Sequence, residues 1–309
     1  MVSDMAQLPR LMFVGFGEAA SLFAKGFAQQ GVERLAAYSP SVHGGPGEAL
    51  LRDRAAQAGT TLLSGPEQFS DAEWIFAMVP PVRARDAAAS VGPYLTPGTF
   101  YVDFSSAAPA DKRAAAEIVS AGGGRYIDAG IIGSVPTSGH RVPVIASGAD
   151  AGVFRDTFAP LGMDITLVGD AVGAAAGTKL VRSILAKGLE ALYVEALVVA
   201  ERSGVTGEVL DTFCAFLDAR SARDTAAILL KSHVVHAARR ADEVSLARDL
   251  VLEAGVEPIM TDAIIRVMRQ TAATSAADRV GRRQPGSLEE ALAVLETELP
   301  GSASGADPS

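Results

Sequence analysis

Lys179, Ser183 and Lys187 stand four residues apart in the stretch 173–204, so on a helix they stack along one face. That pattern suits the oxidation of an alcohol. Hydride leaves carbon while a proton leaves oxygen, and the proton needs a base within hydrogen-bond reach. A lysine in a partly apolar cleft can be that base, because desolvation lowers its pKa and a neighbouring cation such as Lys187 would lower it further. Ser183, one turn on, can hydrogen-bond a substrate oxygen. A long surface helix with a solvated charged face would show the same spacing, so a second set of residues matters. Gly15-Phe16-Gly17-Glu18-Ala19-Ala20 spells G-x-G-x-x-A. In a dinucleotide site Gly15 allows the tight turn, Gly17 the close approach of a pyrophosphate, and Ala20 the close packing of helix on strand. Phosphate then rests on the free N–H groups at the helix start, where the helix dipole also favours an anion.

These residues need elements to hold them. The apolar run 11–14 reads as a strand and 21–30 as an amphipathic helix, which places the glycine motif between strand and helix. Further strands are expected at 35–38, 60–63, 74–79, 100–104, 125–132, 142–147 and 165–168, interleaved with helices at 49–58, 81–91, 109–121 and 154–161. Such alternation predicts an α/β, Rossmann-like doubly wound sheet with parallel strands, covered on both faces. Ligands bind at the strand ends of such sheets. Here those ends carry Ser39-Pro40-Ser41, Val79-Pro80-Pro81 and Ser105-Ser106, which turn chemistry alone would also explain.

The helix 173–204 has Val181, Ile184, Leu185, Leu192 and Val199 on a broad apolar side, with Asp170 near its start and Gly204 at its stop. It would be roughly 45 Å long, enough to join two halves of a molecule. Beyond it come helices at 208–217, 220–236, 243–253, 258–276 and 288–299, and no strand pattern returns. The expected organisation is a dinucleotide-binding Rossmann domain at 1–169, an all-helical substrate and dimerisation domain at 170–299, and a small, polar, disordered tail at 300–309.

Composition narrows the partners. The 309 residues are 49% hydrophobic, enough for a full core in two domains. A formal charge of −9 disfavours nucleic acid or an anionic membrane as the main partner. Cys214 is the single cysteine and the four histidines form no HExxH, so neither a disulfide nor a metal site is expected. The first residues carry an acid and only a short apolar run, and no window reads as a membrane span. A cytoplasmic location is the expectation.

Taken together, GFGEAA, DAGIIGS and the helix pattern GxxxxxKxxxS resemble the β-hydroxyacid dehydrogenase superfamily, which includes the hydroxyisobutyrate and phosphogluconate dehydrogenases. TKLVRSILAKGLEAL, HAARRADEV and GVEPIMTDA are similar to one branch, which pairs a phosphogluconate-dehydrogenase-like NAD-binding domain with its own helical C-terminal domain. The resemblance implies that Lys179 transfers the proton and that Ser183 stands where the superfamily has asparagine. Its usual substrate loop, DAPVSGG, is here Asp128-Ala129-Gly130-Ile131-Ile132-Gly133-Ser134, so Ile132 replaces a carboxylate-binding serine. Backbone N–H groups at Gly133 and Ser134 are then the expected anion ligands. His140, Lys187, His236, Arg239 and Arg240 are expected to help hold the substrate carboxylate, with Lys112 and Arg141 as further basic residues near the loops. His236, Arg239, Arg240 and Glu243 share a helical face that could equally be a salt-bridged surface.

The function implied is transfer of hydride between NAD(P) and a small 3-hydroxy acid or its oxo counterpart, by a homodimer. The alternatives are reduction of an imine, against which Lys179 speaks, and a dinucleotide-binding protein without catalysis. Gly15, Phe16, Gly17, Glu18, Ala19, Ser39, Pro40, Val79, Pro80 and Ser105 are the expected cofactor residues. NADP is the expected cofactor, with NAD also accepted. The second strand is followed by Ser39-Pro40-Ser41-Val42-His43 with no carboxylate before Glu48, and Arg52 or Arg54 could supply positive charge to a 2′-phosphate.

Overall fold

The computed structural model describes residues 8–40 and 47–299, so the expected tail at 300–309 and residues 41–46, His43 among them, lie outside the described residues. The chain forms two compact units, Met1–Ile184 and Leu185–Ser309. The division falls inside the long helix rather than ahead of it.

The first unit is an eight-stranded sheet in the order β3-β2-β1-β4-β5-β6-β7-β8. The strands are β1 (Leu11–Val14), β2 (Leu35–Tyr38), β3 (Thr61–Leu62), β4 (Trp74–Ala77), β5 (Phe100–Asp103), β6 (Arg125–Ile131), β7 (Val144–Ser147) and β8 (Ile165–Leu167). Helices α1 (Glu18–Gln29), α2 (Glu48–Gln57), α3 (Ala84–Val91), α4 (Pro109–Ala121), the single turn α5 (Val135–Ser138) and α6 (Ala151–Phe158) connect them. The first six strands pair parallel, as expected of alternating strands and helices. The sheet then departs from expectation: β7 runs antiparallel to β6, and β8 follows β7 in parallel. Residues 132–143 hold one turn of α-helix and one of 3-10 helix, too little for a crossover, so the chain doubles back at the same edge.

Bulky aromatics hold the sheet to its helices. Phe76 of β4 is fully buried and meets Phe13, Phe27, Phe104, Phe154 and Phe158, with ring centroids 4.9 to 6.0 Å apart. Edge-to-face and tilted geometries of this kind fix rings in register as well as burying area. The other face buries Ile75, Tyr101, Ala115, Val119 and Tyr126 under α3 and α4.

The long helix α7 spans Ala174–Ser203. Its start is capped from afar and not by Asp170. Asp128 Oδ2 accepts from Gly173 N (3.1 Å) and Ala176 N (3.0 Å), and Ser147 Oγ accepts from Ala175 N (2.9 Å). Gly173 has φ +97°, and a Cβ there would sit 3.1 Å from both Pro109 and Arg113, so only glycine lets α7 start so close to α4.

The second unit contains the rest of α7, then α8 (Thr206–Asp218), α9 (Ala222–Glu253), α10 (Ile259–Ala272), α11 (Ala276–Arg279) and α12 (Leu288–Glu298). The two helices expected at 220–236 and 243–253 are one helix of 32 residues. Residues 237–242 (Ala-Ala-Arg-Arg-Ala-Asp) contain no breaker, and Ala and Arg are strong helix formers, so the fading apolar stripe does not interrupt the backbone. Val234 of α9 packs with Ala276, Ala291 and Leu295 in a small core. Glu195 of α7 caps α10 by accepting from Met260 N and Thr261 N at 2.7 and 2.9 Å. Among the described residues no helix is long and apolar enough to cross a membrane.

Candidate functional site

Because β1, β2, β4, β5 and β6 run parallel, their carboxyl ends lie along one edge of the sheet, and two recesses open there. The first is a cleft of about 560 Å³, within the size range of ligand sites, lined by Gly15, Phe16, Gly17, Ser39, Pro40, Val79 and Pro80. Gly15 has φ +81° and donates its N–H to the Tyr38 carbonyl (2.9 Å). A Cβ on it would lie 2.7 Å from the Met78 oxygen and from Val79 Cγ1, so the turn demands glycine. Gly17 precedes α1 in extended backbone and, among the described residues, provides no side-chain cap and has nothing within 4 Å of where a Cβ would stand. The first-turn amides of α1, including those of Glu18 and Ala19, are thus left to an anion. This cradle fits a dinucleotide pyrophosphate. Phe16 is buried and stacks edge-on against Phe13 (5.7 Å), so what it can offer a ligand is backbone. Arg83 also lines the cleft, paired with Asp86 at 3.0 Å, and sequence reasoning missed it; its only signal is closeness to the end of β4. Arg52, an expected source of charge, is instead engaged by Glu48 at 2.7 Å.

The second recess, about 130 Å³, is lined by Ser105, Ser106, Ala129, Gly130, Lys179 and Ser183, among others. Ser105 therefore lies here and not in the glycine cleft. Lys179 Nζ donates to Ser106 Oγ at 2.7 Å, and its stem crosses Gly130, where an added Cβ would lie 3.3 Å from Lys179 Cδ. Ser183 Oγ donates to the Lys179 carbonyl at 3.0 Å, which leaves its lone pairs for a donor. Ser105 Oγ is buried and has no hydrogen-bond partner among the described residues. Burial lowers the Lys179 pKa below the ordinary lysine value of 10.5; Lys112 lowers it further and Asp128 opposes. The neighbouring cation is thus Lys112, not Lys187 as expected.

Under this recess lies a fully buried ion cluster. Lys112 Nζ contacts Asp103 O (2.7 Å), Ala129 O (3.5 Å), Asp103 Oδ1 (3.2 Å) and Asp128 Oδ1 (3.2 Å). Asp103 Oδ2 accepts from Tyr126 OH at 2.7 Å, which with burial drives the phenol pKa far above its ordinary value. Lys112 is no substrate ligand: no part of its side chain reaches solvent.

The remaining candidates are dispersed. Gly133 and Ser134 are exposed in the turn after β6 and do not line the lysine recess. His140 needs correction. Its ring is 5% exposed, bonds through Nε2 to the Leu161 carbonyl at 2.9 Å, packs on Phe27 at 5.1 Å, and occupies the space a side chain at Gly26 would need. It is a core residue, adjacent to the substrate loop in sequence only. In the second unit Lys187 lines a separate groove with Val194 and Met260. Arg239 pairs with Glu243 at 3.0 Å on an exposed face, Arg240 donates to Ser232 Oγ at 2.8 Å, and His236 is half-buried. The face expected to act together is therefore divided between a surface ion pair and an inward bond.

His140 carries a stability prediction. Burial, aided by Arg141, holds its pKa below 6.5 against the opposing bond to Leu161. Below pH 6.5 the unfolded chain therefore binds more protons than the folded one, and stability falls with pH until the folded pKa is passed. Tm should drop as pH goes from 7 to 5.5, and His140→Gln should flatten that drop. An equal drop in both proteins would clear His140 of the effect.

Residues 19–169 match the NAD binding domain of 6-phosphogluconate dehydrogenase, and residues 200–271 match a domain of unknown function, DUF1932. A conserved hypothetical protein from Sinorhizobium meliloti 1021 is 31% identical, aligned over 87% of this chain and 90% of its own, with a TM-score of 0.62. The conserved protein MTH1747, of unknown function and described as structurally similar to 3-hydroxyacid dehydrogenases, is 30% identical over 88% of this chain and 98% of its own, with a TM-score of 0.59. A reductive aminase from Aspergillus terreus, solved with NADPH and ethyl levulinate, shares the fold at a TM-score of 0.69, with 17% identity over 94% of this chain and 99% of its own. The chain belongs to the family that joins a 6-phosphogluconate-dehydrogenase-type NAD-binding domain to a DUF1932 domain, with structural similarity to 3-hydroxyacid dehydrogenases.

Proposed function

We propose that the protein is an NAD(P)-dependent oxidoreductase acting on a small 3-hydroxy acid or the corresponding oxo acid. The observation that carries this reading is Lys179, its amine 2.7 Å from Ser106 Oγ in a recess on the sheet edge that also bears the glycine cradle. The nicotinamide, when bound, supplies hydride acceptance or donation. Lys179 handles the proton: as neutral amine it takes the proton of the substrate hydroxyl, and as ammonium it returns one to the oxo oxygen. Ser106 and Ser183 hold the amine and the substrate oxygen in line. The apolar residues that α7 and α8 leave exposed, such as Val194 (63%) and Phe213 (39%), support a homodimer. The test is a screen of 3-hydroxy acids, oxo acids and cyclic imines, followed by NADH and NADPH absorbance. Turnover of imines alone would replace this reading with imine reduction.

The cofactor reading is specific. Ser39 and Pro40 follow β2 with no carboxylate in the sequence before Glu48, and Arg83 supplies a guanidinium to the cleft they line. Asp86 competes for that guanidinium, so the preference for NADPH should be modest, on the order of tenfold in kcat/KM, or about 1.4 kcal/mol. Arg83→Ala should narrow it. A clear preference for NADH would mean that other groups hold the ribose.

A further inference from the structure

We infer that Lys112 is a positioning residue for Lys179: its buried ammonium ties together the three walls of the Lys179 recess and sets the charge beneath them. The inference rests on the proposed role of Lys179 and deepens it. The first wall is the turn after β5. Asp103 Oδ1 accepts from Ser105 N at 2.8 Å, and Lys112 bonds both the carbonyl and the carboxylate of Asp103. This fixes Ser105 and Ser106, and Ser106 receives the Lys179 amine. The second wall is the end of β6, where Lys112 reaches Asp128 Oδ1 and the Ala129 carbonyl beside Gly130. The third is the start of α7, one turn ahead of Lys179. Its amides at Gly173 and Ala176 are held by Asp128 Oδ2, and Ser147 Oγ, itself donating to Asp128, holds Ala175 N. Asp103 and Asp128 stand opposite each other in the parallel register, so without a cation between them two buried carboxylates would face one another.

The cluster also acts through charge. The charged and titratable groups around Lys112 are Asp103 and Tyr101 on β5 and Asp128 and Tyr126 on β6, with Arg113 of α4 near Gly173 at the start of α7. Both phenols are held neutral, so Lys112 and Asp128 decide the field at Lys179. After burial, the Lys112 charge is the largest influence lowering the Lys179 pKa, and Asp128 pulls the other way. A lysine must shed its proton to accept one, so the cluster governs how much of Lys179 is ready near neutral pH.

The test measures Lys179 directly and needs no substrate. Competitive labelling with acetic anhydride across a pH series, resolved by peptide mass spectrometry, gives the Lys179 titration midpoint. Removing the Lys112 charge while relieving the stranded carboxylate, in Lys112→Met with Asp103→Asn, should raise that midpoint by about one pH unit, the size expected for losing a nearby like charge. Lys112→Arg should leave it within a few tenths of wild type. Asp128→Asn, which retains an oxygen to cap α7 and leaves Lys112 less balanced, should lower it, and this arm decides the matter if the double variant fails to fold. A midpoint unmoved in both the double variant and Asp128→Asn would overturn the inference, as would an unmoved midpoint in Asp128→Asn when the double variant does not fold. A Lys179→Ala protein with full turnover would instead sink the proposed function and leave the labelling result standing.

Discussion

Lys179→Ala is expected to lower kcat by about 10²- to 10⁴-fold, the range for losing a general acid–base, or about 2.7 to 5.5 kcal/mol of barrier. Cofactor affinity should stay near wild type, because Lys179 lines the serine recess and not the glycine cleft. Folding should survive as well. The side chain is half-buried on one helix face, its single bond is to the Ser106 hydroxyl, and water can take that partner. The pattern of the loss is diagnostic. Equal falls in kcat and kcat/KM mean an interaction made in the transition state, whereas a rise in KM alone would make Lys179 a substrate anchor. A variant retaining near-wild-type kcat would show that the proton is handled elsewhere. The pH profile adds a sign: with the Lys179 pKa lowered from 10.5, oxidation in wild type should rise with pH and level off below that value, and this limb should vanish in the variant.

Local signals explain what was legible in the sequence. The G-x-G-x-x-A turn can be read because strand, turn and helix are contiguous and Gly15 answers a local steric demand against Met78 and Val79. The long helix and the stacking of Lys179 and Ser183 follow from period alone. Nonlocal features were hidden. The reversal of β7 depends on which edge the chain returns to, and the cap of α7 comes from Asp128, 45 and 48 residues before the amides it accepts from. His140 is near the substrate loop in sequence, and that nearness says nothing about its burial against Gly26. Lys112 left a trace that went unused: it shares the buried stripe of α4 with Ala115 and Val119, and a lysine on an apolar stripe requires a partner.

Gly17→Val should remove cofactor binding from a folded protein. The residue sits in extended backbone at φ −79° and ψ −165°, a region open to β-branched residues, and no atom of the described residues lies within 4 Å of the position a Cβ would take. The fold therefore has no reason to reject valine, and Tm should move little. The open space above Gly17 is the approach to the first-turn amides of α1, which no side chain caps. Two methyl groups there would keep a pyrophosphate from reaching those N–H donors, the one part of the cleft where backbone and helix dipole both favour an anion. Loss of those contacts should weaken Kd by about 10³-fold or more, on the order of 4 kcal/mol, which calorimetric titration would register as no measurable binding. Gly15→Val makes the necessary contrast. At φ +81°, with contacts of 2.7 Å to Met78 and Val79, it should destabilise the protein itself, so lost binding there carries no information about the site. Unchanged affinity in a folded Gly17→Val protein would take the dinucleotide away from this loop, and with it the geometric case that hydride transfer occurs on this edge of the sheet.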